Sequence, residues 1–347
     1  IYGFRGASGS IFDRFRTDFP QHTAVALTAN YRSTPEVVQL ANRIFDKDTP
    51  LQAQTGGHGQ VRAVQVLNEF REAAWVLDQI QRAIGGGDML RAVSDDDSAG
   101  HRTLRDFAIL YRSRAAALAV QKTVEESGLP FQVVGEGSPY EQPQVLALMA
   151  LLKSTAGGEE VKLEGYTKAE VRAVQQLLTQ DGEATPYKMV SRLMDILGFE
   201  NTPSLQQFAG TLVRFKTVQE AVNYFDQIAE TRFYDPAADA ITLLTIHASK
   251  GLEFGHVFLV GAEEGLLPHE KADEAEERRL FYVAATRARQ DLDITHAKFR
   301  GGKPAALSRF AAAIDNQVLP KIADPNMESD ARRAKKRAIK RSQQSLF

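Results

Sequence analysis

The stretch that most restricts what this chain can fold into lies at residues 241–260. Ile241-Thr242-Leu243-Leu244-Thr245-Ile246 is a short apolar, β-branched run of strand length. It gives way to a polar turn, His247-Ala248-Ser249-Lys250-Gly251, and a second apolar run follows at 257–260. Two buried strands separated by a loop carrying His, Ser, Lys and then Glu253 describe an α/β protein with a working edge, because such sheets place their chemistry at strand ends. The same pattern also describes two core strands joined by a solvated loop, and periodicity alone does not separate the two readings.

Elsewhere, strand-like and helix-like segments alternate. Residues 11–19 read as a short amphipathic helix and 23–28 as a strand. Ser33 or Thr34 caps a helix that opens on Pro35, carries Glu36 in its first turn and runs to about Phe45. A strand at 61–67 leads into a helix at 69–84, whose apolar face includes Trp75, Val76, Leu77 and Ile80 and which Gly85-Gly86-Gly87 stops. An acidic stretch to Gly100 reads as a surface loop. A buried strand at 107–111, a helix from about Arg112 to near Gly128, a strand at 131–135 and a helix at 140–153 complete the alternation, which predicts βαβ units and a mainly parallel sheet.

From 154 to 238 strand-like runs stop. Amphipathic helices at 168–180, 187–197 and 204–230 predict a small helical domain inserted into the α/β one. After the return at 241, residues 276–290 read as one helix with Arg287 and Arg289 toward its carboxyl end, and 291–295 as the last strand. A closing helix surrounds 307–310, and a basic tail containing Arg332, Lys336 and Arg341 follows Pro320.

Composition removes several function classes. With no Cys, the chain holds no disulfide and no Cys-ligated zinc or iron–sulfur centre, and its His residues lack metal-ligand spacing. No apolar stretch approaches the ~20 residues of a membrane helix, so a cytoplasmic setting is the default expectation. A net charge of −2 argues against a uniformly basic coat yet leaves room for a local basic groove. Gly-x-x-x-x-Gly-Lys-Ser/Thr, the loop that cradles triphosphate, does not occur; Gly301-Gly302-Lys303-Pro304 comes nearest and fails. The chain opens on Ile1 rather than Met, and the expectation is a fragment whose missing part carries a first nucleotide-binding domain.

Three strings carry a specific resemblance. Thr245-Ile246-His247-Ala248-Ser249-Lys250-Gly251-Leu252-Glu253-Phe254, then Gly265-Leu266-Leu267-Pro268-His269, then Glu276-Glu277-Arg278-Arg279-Leu280-Phe281-Tyr282-Val283-Ala284-Ala285-Thr286-Arg287-Ala288-Arg289 closely resemble the last two helicase motifs of the UvrD/Rep/PcrA family of superfamily 1 DNA helicases. Asn30-Tyr31-Arg32-Ser33 is similar to a further family motif, and Ile1-Tyr2-Gly3-Phe4-Arg5-Gly6-Ala7 resembles the second half of another.

The resemblance implies a RecA-like, P-loop NTPase-type parallel sheet flanked by helices, with a reduced all-helical insertion. The implied boundaries are 1–18 for the end of a first RecA-like domain, 19–153 and 239–318 for the two parts of a second, 154–238 for the insertion, and 319–347 for a flexible basic tail. It further implies that Arg287 and Arg32 reach the γ-phosphate of ATP, bound with Mg²⁺ whose ligands lie in a missing part. By the same resemblance Tyr31 stacks on the nucleotide base, Arg5 takes phosphate, and Glu253 bonds the ribose or links nucleotide to DNA contacts. Phe4, Thr245, His247 and Lys250 would meet single-stranded DNA, and duplex junctions would be partners of the parent enzyme. Gln343, Leu346 and Phe347 resemble the peptide by which bacterial repair proteins dock on the sliding clamp. The implied function is the C-terminal motor half of an ATP-dependent 3′–5′ helicase, inactive as an ATPase by itself. A helicase-derived module that binds DNA or a clamp without catalysis is the alternative; two retained phosphate-facing arginines favour the motor.

Overall fold

Caps and breakers written into the sequence set most element ends. In the computed structural model, which describes residues 10–45, 49–85, 102–135, 139–155, 185–230 and 234–327, the elements up to the helical unit are α1 (Ser10–Asp18), β1 (Ala29–Asn30), α2 (Pro35–Ile44), β2 (Gln52–Ala53), β3 (Val61–Asn68), α3 (Glu69–Ile84), β4 (Phe107–Tyr111), α4 (Arg114–Ser127) and β5 (Phe131–Val134). Helix α2 starts on Pro35 behind Thr34, as expected, since proline's fixed φ suits the first helical position. Helix α3 is capped by Asn68, whose side chain accepts from the Arg71 N–H at 2.9 Å. Gly128 ends α4 in the left-handed conformation at φ +72°. Phe4, Arg5, the acidic stretch to Gly100, the helix expected at 168–180 and Gln343, Leu346 and Phe347 lie outside the described residues.

The chain divides into two compact units, one made of Ile1–Phe131 with Asp239–Phe347 and the other of Gln132–Ala238. The first continues with β6 (Ile241–Thr245), β7 (Phe254–Val260), α9 (Glu274–Ala285), β8 (Ala288–Arg300), β9 (Lys303–Pro304), α10 (Arg309–Ala312) and β10 (Lys321–Ala323); α6 to α8 belong to the second unit. Its main sheet runs β10-β3-β8-β7-β4-β6, with every one of these neighbours parallel and β9 turned back antiparallel on β8. Strands β4, β6 and β7 are apolar almost throughout because helices and loops cover both faces of a parallel sheet. The mostly parallel, helix-flanked α/β architecture is the one the alternation predicts.

Four expectations for this unit are corrected. Residues 23–28 form no strand; Val25 and Leu27 stay exposed, and only Ala29–Asn30 finds a neighbour, in β2. β-branched residues become a strand only where a pleated surface receives them. The helix expected over 276–290 stops at Ala285, where Thr286 Oγ1 donates back to the Tyr282 and Val283 carbonyls. Pairing of Ala288 with Phe254 then draws the chain into β8, so Arg287 sits in the turn and Arg289 on a strand. That strand extends to Arg300, and β9 and β10 follow it. The tail does not begin at 319: Leu319 is fully buried, and β10 supplies the edge hydrogen bonds of β3.

The second unit is helical beyond β5. Helices α5 (Pro143–Thr155), α6 (Pro186–Leu197), α7 (Pro203–Leu212) and α8 (Val218–Glu230) share a core that includes Leu148, Leu152, Val190, Leu193, Phe208 and Phe225. It begins at Gln132 rather than at the compositional shift near 154, because the apolar α5 buries Val145, Leu148 and Leu151 here. The single helix expected at 204–230 is two. Thr217 and Glu220 form a capping box: the Glu220 carboxylate accepts from the Lys216 and Thr217 N–H groups, and Thr217 Oγ1 accepts from Glu220 N at 3.2 Å. Among the described residues no helix is long and apolar enough to cross a membrane, and no cluster of three His, Asp or Glu side chains could hold a metal.

Candidate functional site

Parallel pairing gives the first unit's sheet two distinct edges. Phe254 pairs with Ala288, so Glu253 and Arg287 both lie at the strands' amino ends. Thr245 pairs with Tyr111, which pairs with Val260, and lies at their carboxyl ends.

The amino edge gathers residues distant in sequence. The Asn30 side chain accepts from the Arg32 and Ser33 N–H groups at 3.0 and 2.9 Å, folding the segment into a tight turn. Ser33 Oγ donates to the Ala288 carbonyl at 2.7 Å, and Thr34 N donates to that of Arg289 at 2.9 Å. The Asn30-to-Thr34 turn is thereby stitched to the start of β8. Gly59 passes so close that a Cβ built there would lie 1.8 Å from the Gln290 carbonyl oxygen and 2.6 Å from Thr34 Oγ1.

Within this frame Arg32 Nε donates to Glu253 Oε2 at 2.5 Å across 221 residues of sequence, with the two side chains 39% and 43% exposed. Arg287 is different, being only 8% exposed. Its Nε donates to the Val283 carbonyl at 3.0 Å, one Nη to Leu252 O at 2.9 Å and the other to Thr286 Oγ1 at 3.1 Å. Burial, and then the nearby charge of Arg32, hold the Arg287 guanidinium below its ordinary pKa against the opposing pull of Glu253 and Tyr282. Tyr31 is 78% exposed, so its ring offers an open stacking face. Two guanidinium groups with one carboxylate make a site of net positive charge suited to an anion carrying several charges.

At the carboxyl edge the chain makes one tight turn after β6. Thr245 accepts from Ala248 N through Oγ1 at 3.2 Å and from Ser249 N through its carbonyl at 3.1 Å. Ser249 Oγ closes on Ile246 O at 2.7 Å, and Gly251 takes φ +90°, a conformation that disfavours side chains. Lys250 is exposed and His247 half-buried. Burial and the charge of Arg112 hold His247 below the usual histidine range, with Glu277 and Glu276 opposing. Thr245, His247 and Lys250 thus share one turn, on the edge opposite Arg32, Glu253 and Arg287.

Sequence reasoning missed the buried ion clusters that support both edges. Glu277, 1% exposed, accepts from Arg112 Nε at 2.9 Å and from His269 N at 2.9 Å, joining α9 to the end of β4. Asp293 accepts from Arg62 at 2.5 Å and faces His256 Nε2 at 2.9 Å, while Arg102 approaches His256 Nδ1 at 3.2 Å. Glu72 and Glu263 together enclose Arg300. The available signals were a carboxylate inside the apolar run of β8 and another on the apolar face of α3.

Against known proteins, the profile of the UvrD-like helicase C-terminal domain matches residues 25–216 and 226–298. The chain is 27% identical over 410 aligned positions to the ATP-dependent DNA helicase PcrA of Bacillus subtilis, covering 93% of this chain and 54% of that protein. It is 28% identical over 406 positions to the protein of the same name from Leuconostoc citreum, covering 92% and 52%. The chain spans about half the length of the curated relatives it matches. With its helix-flanked parallel sheet and a match across most of its length, the chain belongs to the UvrD-like helicase C-terminal domain family.

Proposed function

We propose that this chain is the C-terminal motor half of an ATP-dependent 3′–5′ DNA helicase or translocase, coupling ATP hydrolysis to movement on single-stranded DNA. The observation that carries the reading is the convergence of Arg32, Glu253 and Arg287 at one edge of the sheet. The names of the PcrA relatives support it. ATP supplies the phosphoryl group transferred to water, and Mg²⁺ accompanies it, held by no residue assigned in this chain. Arg32 and Arg287 fit the polyphosphate as paired cations, and Tyr31 offers its exposed face to the base. The segment from Thr245 to Glu253 crosses from the DNA-facing edge to the phosphate-facing one, so a shift at either end displaces the other. Phe4 and Arg5 complete the DNA and nucleotide contacts in this reading, and Gln343, Leu346 and Phe347 provide a clamp-docking peptide. The setting is cytoplasmic, and the chain alone hydrolyses no ATP.

The test is DNA-stimulated ATPase activity of the complete protein against its Arg287→Ala variant. An arginine that stabilises charge in phosphoryl transfer contributes on the order of 10³–10⁵ in rate, so kcat is expected to fall at least that far while nucleotide still binds. An unimpaired variant, or a complete protein without hydrolysis, would favour the binding-module reading.

A further inference from the structure

We propose that Glu253 is an internal stand-in for phosphate, an anionic latch that detains Arg32 until a polyphosphate displaces it. The proposal rests on the reading of Arg32 and Arg287 as phosphate-facing groups and adds the regulation of their site.

Three features of the amino edge lead to it. The Arg32 Nε–H is already spent on the Glu253 carboxylate at 2.5 Å, so an anion that grips the guanidinium through its Nε edge does so only by displacing that carboxylate. Both side chains are about two-fifths exposed, within reach of a ligand, and an ion pair this open to solvent is weak enough for a competing anion to break. Arg287 places a second positive charge beside the pair, close enough to Arg32 to lower its own pKa, so one carboxylate leaves the cluster a charge short of neutral. A polyphosphate corrects that imbalance and a single carboxylate does not.

Leu252 extends the latch to Arg287. Its carbonyl accepts from the Arg287 guanidinium at 2.9 Å, and it directly precedes Glu253. The two arginines are thus held by adjacent residues, Arg32 by a side chain and Arg287 by a backbone carbonyl. The exchange makes and breaks no covalent bond: the Arg32 Nε–H transfers its hydrogen bond from a carboxylate oxygen to a phosphate oxygen. The released carboxylate is repelled by phosphate and is left to accept from hydroxyl donors, which makes a sugar contact by Glu253 a consequence of opening.

Inorganic tripolyphosphate is the probe, because it carries the phosphate charge without a ribose. Its affinity is measured by titration calorimetry for the wild-type chain, Glu253→Gln and the double variant Arg32→Gln/Glu253→Gln, with circular dichroism verifying the fold of each. Removing the internal competitor is expected to tighten binding roughly three- to tenfold in Glu253→Gln, and the double variant is expected to lose the gain. In ¹H–¹⁵N spectra the Arg32 Nε signal shifts on tripolyphosphate addition to wild type, and in Glu253→Gln it starts already displaced. Binding by Glu253→Gln no tighter than wild type overturns the latch, including the case in which neither binds detectably, as does a gain that survives loss of Arg32. Because the titration needs no hydrolysis, an ATPase indifferent to Arg287→Ala would remove the motor reading and leave the latch standing. Failure of the titration would do the reverse.

Discussion

Replacing Glu72 by Ala tests the energetic reading of the first unit's interior. Glu72 lies on α3, fully buried, and its carboxylate serves three donors: Gly261 N at 3.0 Å, Thr295 Oγ1 at 2.6 Å and an Arg300 Nη at 2.5 Å. The Arg300 guanidinium also donates to Glu263 through Nε and Nη, both at 2.7 Å, so it stays paired when Glu72 is lost. This removes the largest penalty, an isolated buried cation. What remains is an orphaned Gly261 N–H and Thr295 hydroxyl at about 1–3 kcal/mol together, a lost charge-assisted bond to Arg300 and a small cavity, partly offset by relief of a cluster with two acids and one base. The net expectation is a loss of about 3 kcal/mol, with Glu72→Gln costing about half as much. Trp75 is the only tryptophan of the chain, lies one turn along α3 and packs edge-on against Phe258, so its fluorescence during urea unfolding reports on this unit. A cost below about 1 kcal/mol for Glu72→Ala would refute the reasoning.

Further outcomes follow from the same geometry. Gly59→Ala forces a Cβ into the Gln290 backbone and Thr34 Oγ1, so it should cost about 1–3 kcal/mol in Trp75-monitored urea unfolding; a neutral result would mean the close approach is not held in solution. Burial keeps His296 below the usual histidine range, against the pull of Glu263, and its Nδ1 has no partner among the described residues. The unfolded chain therefore takes up the proton first, and the histidine's contribution, present above about pH 6.5, is lost as pH falls through the folded value. His296→Leu should flatten the decline in melting temperature between about pH 7 and pH 5, and an unchanged slope would count against it. Thr217→Ala removes the cap that starts α8 and should destabilise the helical unit by about 1 kcal/mol in a far-ultraviolet circular dichroism melt.

What was legible in the sequence was local. Pro35 behind Thr34, the apolar face of the 69–84 helix and the all-apolar 107–111 run each carry their reason within a few residues, and each element formed where its chemistry required. The split of the 204–230 helix was equally local: Thr217-Val218-Gln219-Glu220 is a capping box set inside a continuous amphipathic pattern. Arg287 was harder. Glu276 to Gln290 contains good helix formers, and only the unpaired edge of β7 makes a strand from Ala288 the better use of those backbone groups. The run from Lys321 to Ala323 likewise becomes structured because β3 offers it an edge.

The family, the alternation that builds a parallel sheet, and the types of residue at the site all follow from the sequence itself, because motifs and periodicity are one-dimensional. Which of those residues meet was decided by tertiary structure alone. Arg32 reaches Glu253 across 221 positions and Arg300 reaches Glu72 across 228, through a strand order that no local pattern encodes. Strand direction then separates Thr245 and His247 from their chain neighbour Glu253, and from Arg287, onto opposite edges of the sheet. Charge pairing and burial depend on distance in space, and in a parallel sheet that distance is set by which strands lie side by side.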